Sequence, residues 1–193
     1  MLWALCASTR ILVPSEIGLG KRWGPRVQFQ TQAIKTIERG GQGYVAYCYG
    51  ELVDSVGNPN VFGQFFRKFN DMVQANEDII YAGVPGSGDV SMSIAVPGAK
   101  ISQLHHDADG TLGILYFPNV YTQKRPDSNT NTHDVTVEFK SAKSGKYKVE
   151  VYRDGALQSS DIRQFEAGQV ATGLTLTDVK ETEAVFIKIT RSE

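Results

Sequence analysis

Three short stretches of this chain carry the residue types that do chemistry. His105-His106-Asp107-Ala108-Asp109-Gly110 sets imidazoles and carboxylates side by side, the donors that hold metal ions. Adjacent residues of a strand point to opposite faces, so His105 and His106 do not converge on one ion. Asp-Ala-Asp-Gly also lacks the remaining oxygen ligands of a calcium loop, so the segment is expected to be a hairpin turn and no metal is expected. Gly83-Val84-Pro85-Gly86-Ser87-Gly88 is rich in glycine like a phosphate cradle, but no Lys-Ser/Thr follows and no helix opens there; it reads as a linker. Glu16 follows the apolar run Arg10-Ile11-Leu12-Val13-Pro14 and is either a working carboxylate at the end of a strand or a solvated partner of Lys21, Arg22 or Arg26. Near it in sequence stand Trp23, Tyr47 and Tyr49, rings able to stack on the apolar face of a ligand, with Glu51 and Asp54 just beyond. Three histidines offer no serine-hydrolase triad, because the G-x-S-x-G elbow is absent.

The elements that must position these residues belong to a folded chain. With 193 residues, 41% hydrophobic and 21% charged, the sequence has the composition of an ordinary folded protein, which excludes disorder and fibrous structure. Twenty basic against 21 acidic residues leave no positive field for phosphates, so nucleic acid is not an expected partner. Cys6 and Cys48 are too few for a disulfide framework and lack metal or redox spacing. The apolar opening Met1–Ala7 has no basic region before it and is shorter than a secretion signal's core; no run approaches the ~20 residues of a membrane span. Localisation is therefore left open by this chain.

Arg10–Pro14 is expected to form a buried strand, and from Pro25 onward Val27, Phe29, Ala33, Ile34 and Ile37 fall at helical spacing until Gly40-Gly41 stop the run. The aromatic run Gly43–Gly50 reads as a strand covered on both faces. A second helix is expected over Val61 to Asn76, with Val61, Phe62, Phe65, Phe66, Phe69, Met72 and Val73 on one broad face. A domain boundary is placed near Gly86, dividing residues 1–85 from 86–193. Beyond it come short β-segments at Val90–Val96, Lys100–His105, Thr111–Phe117, Val135–Phe139, Tyr147–Tyr152, Ile162–Phe165 and Val185–Thr190. Turn residues separate them, which predicts an antiparallel sandwich of about seven or eight strands. Gln123 to Thr132 reads as a long exposed loop.

Two passages carry a family resemblance. Ile11-Leu12-Val13-Pro14-Ser15-Glu16-Ile17-Gly18 resembles strand seven of the retaining glycoside hydrolases of the barrel superfamily often called clan A, in which a strand ends in Glu followed closely by Gly. Ile34–Gly50 is similar to that family's passage from helix seven to strand eight, and the later β-segments resemble the accessory C-terminal domains of such enzymes. The resemblance implies an α/β fragment, the last strands and helices of a TIM-type β/α barrel over 1–85, followed by an all-β antiparallel sandwich over 86–193. Val61 to Asn76 would be the last barrel helix.

It further implies that Glu16 is the nucleophile, attacking an anomeric carbon at the mouth where barrel loops converge. Trp23, Tyr47, Tyr49 and Glu51 would then bind an oligo- or polysaccharide, although for Tyr47 core packing between barrel and helix is the favoured reading and Tyr49, nearer the strand's end, is the better site residue. The family's acid comes from an earlier strand that this chain does not contain, so the chain alone is expected to be inactive, with the missing barrel portion as its partner and no cofactor. The parent enzyme would act outside the cytoplasm. The competing expectation is a non-catalytic sandwich module that binds a glycan or another protein.

Overall fold

The computed structural model describes residues 26–41, 55–59, 61–107, 110–118 and 131–192. Helix α1 (Arg26–Glu38) buries Ala33, Ile34 and Ile37, the three- and four-residue spacing that puts side chains on one face. Its end is set by Gly40 and Gly41. Gly40 takes a φ of 77°, its N–H donates to the Ile37 carbonyl, and the Gly41 N–H reaches back to Thr36 at 2.8 Å, a paired closure that satisfies carbonyls a helix end would otherwise orphan.

Helix α2 (Val61–Gln74) buries Phe69 and Met72 and half-buries Phe65, Phe66 and Val73. Fully buried Asn76 ends it by donating from Nδ2 to the Met72 carbonyl at 2.7 Å, and its backbone carbonyl accepts from the Ile79 and Ile80 N–H groups of α3 (Glu77–Ala82).

Among the described residues nine strands follow: β1 (Val84–Pro85), β2 (Val90–Ile94), β3 (Lys100–His106), β4 (Gly110–Tyr116), β5 (Thr132–Ser141), β6 (Gly145–Arg153), β7 (Ala156–Phe165), β8 (Val170–Lys180) and β9 (Val185–Arg191). They form a six-stranded sheet ordered β1-β3-β4-β9-β6-β7 and a three-stranded sheet ordered β2-β5-β8, with every pairing antiparallel. The six-stranded sheet is the middle layer of three. On one face Leu115, Val149, Val151, Val185, Ile187 and Ile189 meet Met92, Val137, Phe139 and Leu176 of the smaller sheet. On the other, Leu104, Leu112, Ile114, Tyr152 and Phe186 meet the apolar sides of α1, α2 and α3. Strand β4 is consequently buried at all seven positions. Gly113 in its middle lets Met92 approach, since a Cβ there would lie 2.5 Å from the Met92 sulfur.

This architecture corrects the expected barrel. Among the described residues the strands are antiparallel, and the helices cover a face of the sandwich itself. The Phe-rich side of α2, expected against parallel barrel strands, packs through Phe69 edge-on to Phe186 of β9, ring centroids 5.6 Å apart. The physical reason is that an amphipathic helix specifies the width of its apolar face but not the element that covers it. The expected strands at Arg10–Pro14 and Gly43–Gly50, and most of the loop from Gln123 to Thr132, lie outside the described residues.

Side chains lace the open edges of the sandwich. The Gln103 amide imitates a strand: Met92 N–H donates to its Oε1 at 2.7 Å, and its Nε2 donates to Met92 O at 3.0 Å, tying β3 to β2 of the other sheet. Replacing Gln103 by Leu strands both Met92 groups and is expected to lower stability by roughly 1–3 kcal/mol, read from the urea midpoint at unchanged slope. At the far edge Arg153 donates twice to the Glu183 carboxylate, at 2.6 and 3.0 Å, and to the carbonyls of Thr177 and Asp178 on β8.

Candidate functional site

Glu16, Trp23, Tyr47, Tyr49 and Glu51 all lie outside the described residues. Within them, one group of acid–base side chains gathers where the helices meet β6 and β9. Alternation along β6 puts Lys148, Glu150 and Tyr152 on the helix-side face, and Lys188 of β9, directly opposite Glu150, shares it. Two ion pairs organise the group. Lys148 Nζ lies 2.7 Å from Glu150 Oε1, and Lys188 Nζ lies 2.7 Å from Asp78 Oδ2 at the start of α3. A third pair, Lys68 Nζ to Asp154 at 2.7 Å, fastens α2 to the β6–β7 turn.

The hydrogen bond to Glu150 is the main reason that the Lys148 ammonium holds its proton above the ordinary lysine range. Burial, reinforced by the Glu150 carboxylate and then offset in part by Lys148, pushes the Tyr152 phenol up. Burial likewise raises Tyr116 of β4, against a Ser102 hydrogen bond that lowers it, and Tyr81 of α3 beside Glu77. All three phenols sit in the helix–sheet layer. A phenol whose pKa is raised on folding keeps its proton in the folded state after the unfolded one has lost it, so its stabilising effect is complete below the unfolded value of 10.0 and disappears above it. The urea midpoint should therefore hold up to about pH 10 and fall as the pH is raised beyond it, as the phenolate absorbance grows. A midpoint that stays flat beyond that pH would show that the three phenols are solvated.

Chemically, this cluster is a fastening. Acid–base cleavage of a glycoside needs two carboxyl groups flanking the bond, one of them holding a proton for the leaving oxygen. Here each carboxylate engages an ammonium group, and the two pairs join α3 to β9 and brace neighbouring positions of β6. Sequence alternation at Tyr147-Lys148-Val149-Glu150-Val151 was the available signal for half of it. Nothing local could connect Asp78 with Lys188, 110 residues apart.

The other candidates disperse. His105 Nδ1 contacts the Asp107 carbonyl at 3.2 Å, whereas His106 Nε2 lies 3.5 Å from the Asp107 carboxylate. Asp107 takes a φ of 56° where β3 turns toward β4, the expected hairpin. Among the described residues no three His, Cys, Asp or Glu side chains stand together as a metal site. His133 stacks on Phe117 with centroids 5.2 Å apart and meets Glu181 at 2.8 Å, closing over the core. Every Phe and Tyr of the nine strands is buried, so the described sandwich faces present no ring for a sugar to stack on. No described helix is long and apolar enough to cross a membrane.

No family model matches the chain, and neither does any curated protein. Among solved structures, a chain described as a glycoside hydrolase superposes with a TM-score of 0.50 over 93% of this chain, at 9% identity. This chain spans 40% of that protein's length. A glucosidase from Croceicoccus marinus aligns over 73% of this chain and 34% of its own, at 14% identity and a TM-score of 0.34, a superposition too loose to argue from. The first likeness is one of fold.

Proposed function

We propose that this chain is a supporting sandwich unit of a glycoside-hydrolase-type protein and that it hydrolyses no glycoside by itself. The observation that carries the reading is the superposition on a glycoside hydrolase, which takes in 93% of this chain and 40% of the other. The paired carboxylates at the helix–sheet boundary support it, because they brace structure. Buried strand aromatics favour support over glycan capture, the competing role for such a module. Fold likeness sets only a starting point for function, and the assignment rests on chemistry that can be measured. Glu16, Trp23, Tyr47, Tyr49 and Glu51 lie outside the described residues and carry no part of this reading.

The test is direct. The purified chain should release no chromophore from a panel of aryl glycosides and should not be retained by insoluble polysaccharides. Turnover of any aryl glycoside would overturn the supporting role in favour of catalysis. Retention on a polysaccharide that free oligosaccharide reverses would overturn it in favour of a binding module.

A further inference from the structure

Among the described residues strand β7 closes one side of the six-stranded sheet with β6 as its only neighbour, and its first seven residues are all exposed. The other strand edges are guarded. At the opposite side β1 has two residues, one of them Pro85; β2 is clasped by Gln103; the β8 carbonyls of Gly173, Thr177 and Asp178 are taken by Arg163 and Arg153. Edge strands β1 and β8 each expose one valine, Val84 and Val170, whereas β7 displays two apolar side chains, Leu157 at 48% and Ile162 at 52% exposure. Cross-strand partners place both on the helix-side face, Leu157 opposite Tyr152 and Ile162 opposite Lys148.

The residues flanking Ile162 carry opposite charges, Asp161 on one side and Arg163 on the other. We propose that β7 is the interface of a symmetric dimer, two copies pairing these edges antiparallel about a two-fold axis at Ile162. In this register Ile162 meets Ile162 of the partner subunit. Asp161 faces Arg163 of the partner subunit and the reverse contact repeats it, while Ser160 faces Gln164 of the partner subunit. Opposite charges directly across a ladder stabilise and like charges destabilise. Registers centred on Asp161 or on Arg163 set identical charges face to face, so only the Ile162 register is matched. Arg163 reaches Asp161 of its own strand at 3.4 Å, and its guanidinium has five N–H donors to share. The extra residue Gln158, where the β6–β7 register slips, ends the ladder on that side and confines pairing to 159–165.

Sedimentation of the chain over a concentration series tests the proposal. The wild type is expected to reach twice the 21.2 kDa chain mass. Asp161→Lys and Ile162→Lys alter exposed side chains, so both should stay folded by circular dichroism and sediment as monomers. Mixing Asp161→Lys with Arg163→Glu should restore a heterodimer, because each lysine or arginine then faces a carboxylate. A wild type that is monomeric at every concentration overturns the proposal. So does a dimer that survives Asp161→Lys, or a mixture of the two folded variants that stays monomeric.

Discussion

Phe186→Ala is expected to lower the stability of the chain by about 3–5 kcal/mol, the range for emptying a fully buried phenylalanine site. Phe186 has no exposed surface and stands edge-on to Phe69, so its ring is the contact through which α2 meets the middle of the sheet. Alanine removes the apolar transfer energy and leaves a cavity between two rigid elements. The sheet cannot collapse into it without breaking the ladders of β9 to β4 and β6. Urea unfolding followed at the far-ultraviolet helix signal is the measurement. A loss below about 1 kcal/mol would mean that the helical layer is not anchored at this ring. Phe186→Leu, which keeps most of the volume, should cost less than half as much.

The second large effect is expected at Gly173 of β8, where alanine should destabilise by about 3 kcal/mol through overpacking. A Cβ at Gly173 would lie 1.8 Å from the Val137 carbonyl oxygen and 2.6 Å from its carbon, and a backbone atom in a ladder cannot step aside as a flexible side chain does. The position falls where the β5–β8 register slips between Val137 and Phe139. The Gly173 carbonyl also accepts a bond from Arg163, so the shift would propagate to the opposite sheet. Hydrogen exchange should show lost protection along β5 and β8 first. Unchanged protection there, together with a wild-type urea midpoint, would mean that the two strands lie further apart than this geometry requires.

The local signals in the sequence were strong where one rule governs. Ala33, Ile34 and Ile37 followed by Gly40-Gly41 announced α1 and its end, and short alternating runs announced most of the sandwich strands. Strand β8 was missed because Gly173, three threonines and Asp178 leave it few apolar positions, while the slipped register breaks its alternation. The polar first half of β7 was missed for a related reason: an exposed edge strand has no buried face to leave a pattern. Helix α3, six residues long, is too short for periodicity to register. The assignment of the helices to a barrel failed differently. Their apolar faces were legible, but Phe69 gives no sign that its partner is Phe186, more than a hundred residues further on. The same distance hid the pairing of Asp78 with Lys188, whereas Lys148 and Glu150, two residues apart on one strand, could be seen to share a face.

Strand β9, the last of the nine, lies in the interior of the six-stranded sheet between β4 and β6. During synthesis on the ribosome, where chains generally fold as they emerge, the β1-β3-β4 and β6-β7 parts of the sheet have no common hydrogen-bonded strand until Val185–Arg191 is released. A nascent chain must therefore carry β4 with one edge bare and the apolar faces of Leu112, Ile114 and Leu115 only partly covered until β9 has emerged. The sheet is complete only once β9 is in place, and a product clipped before those seven residues would be a substrate for chaperones and proteases in place of a slightly shortened protein.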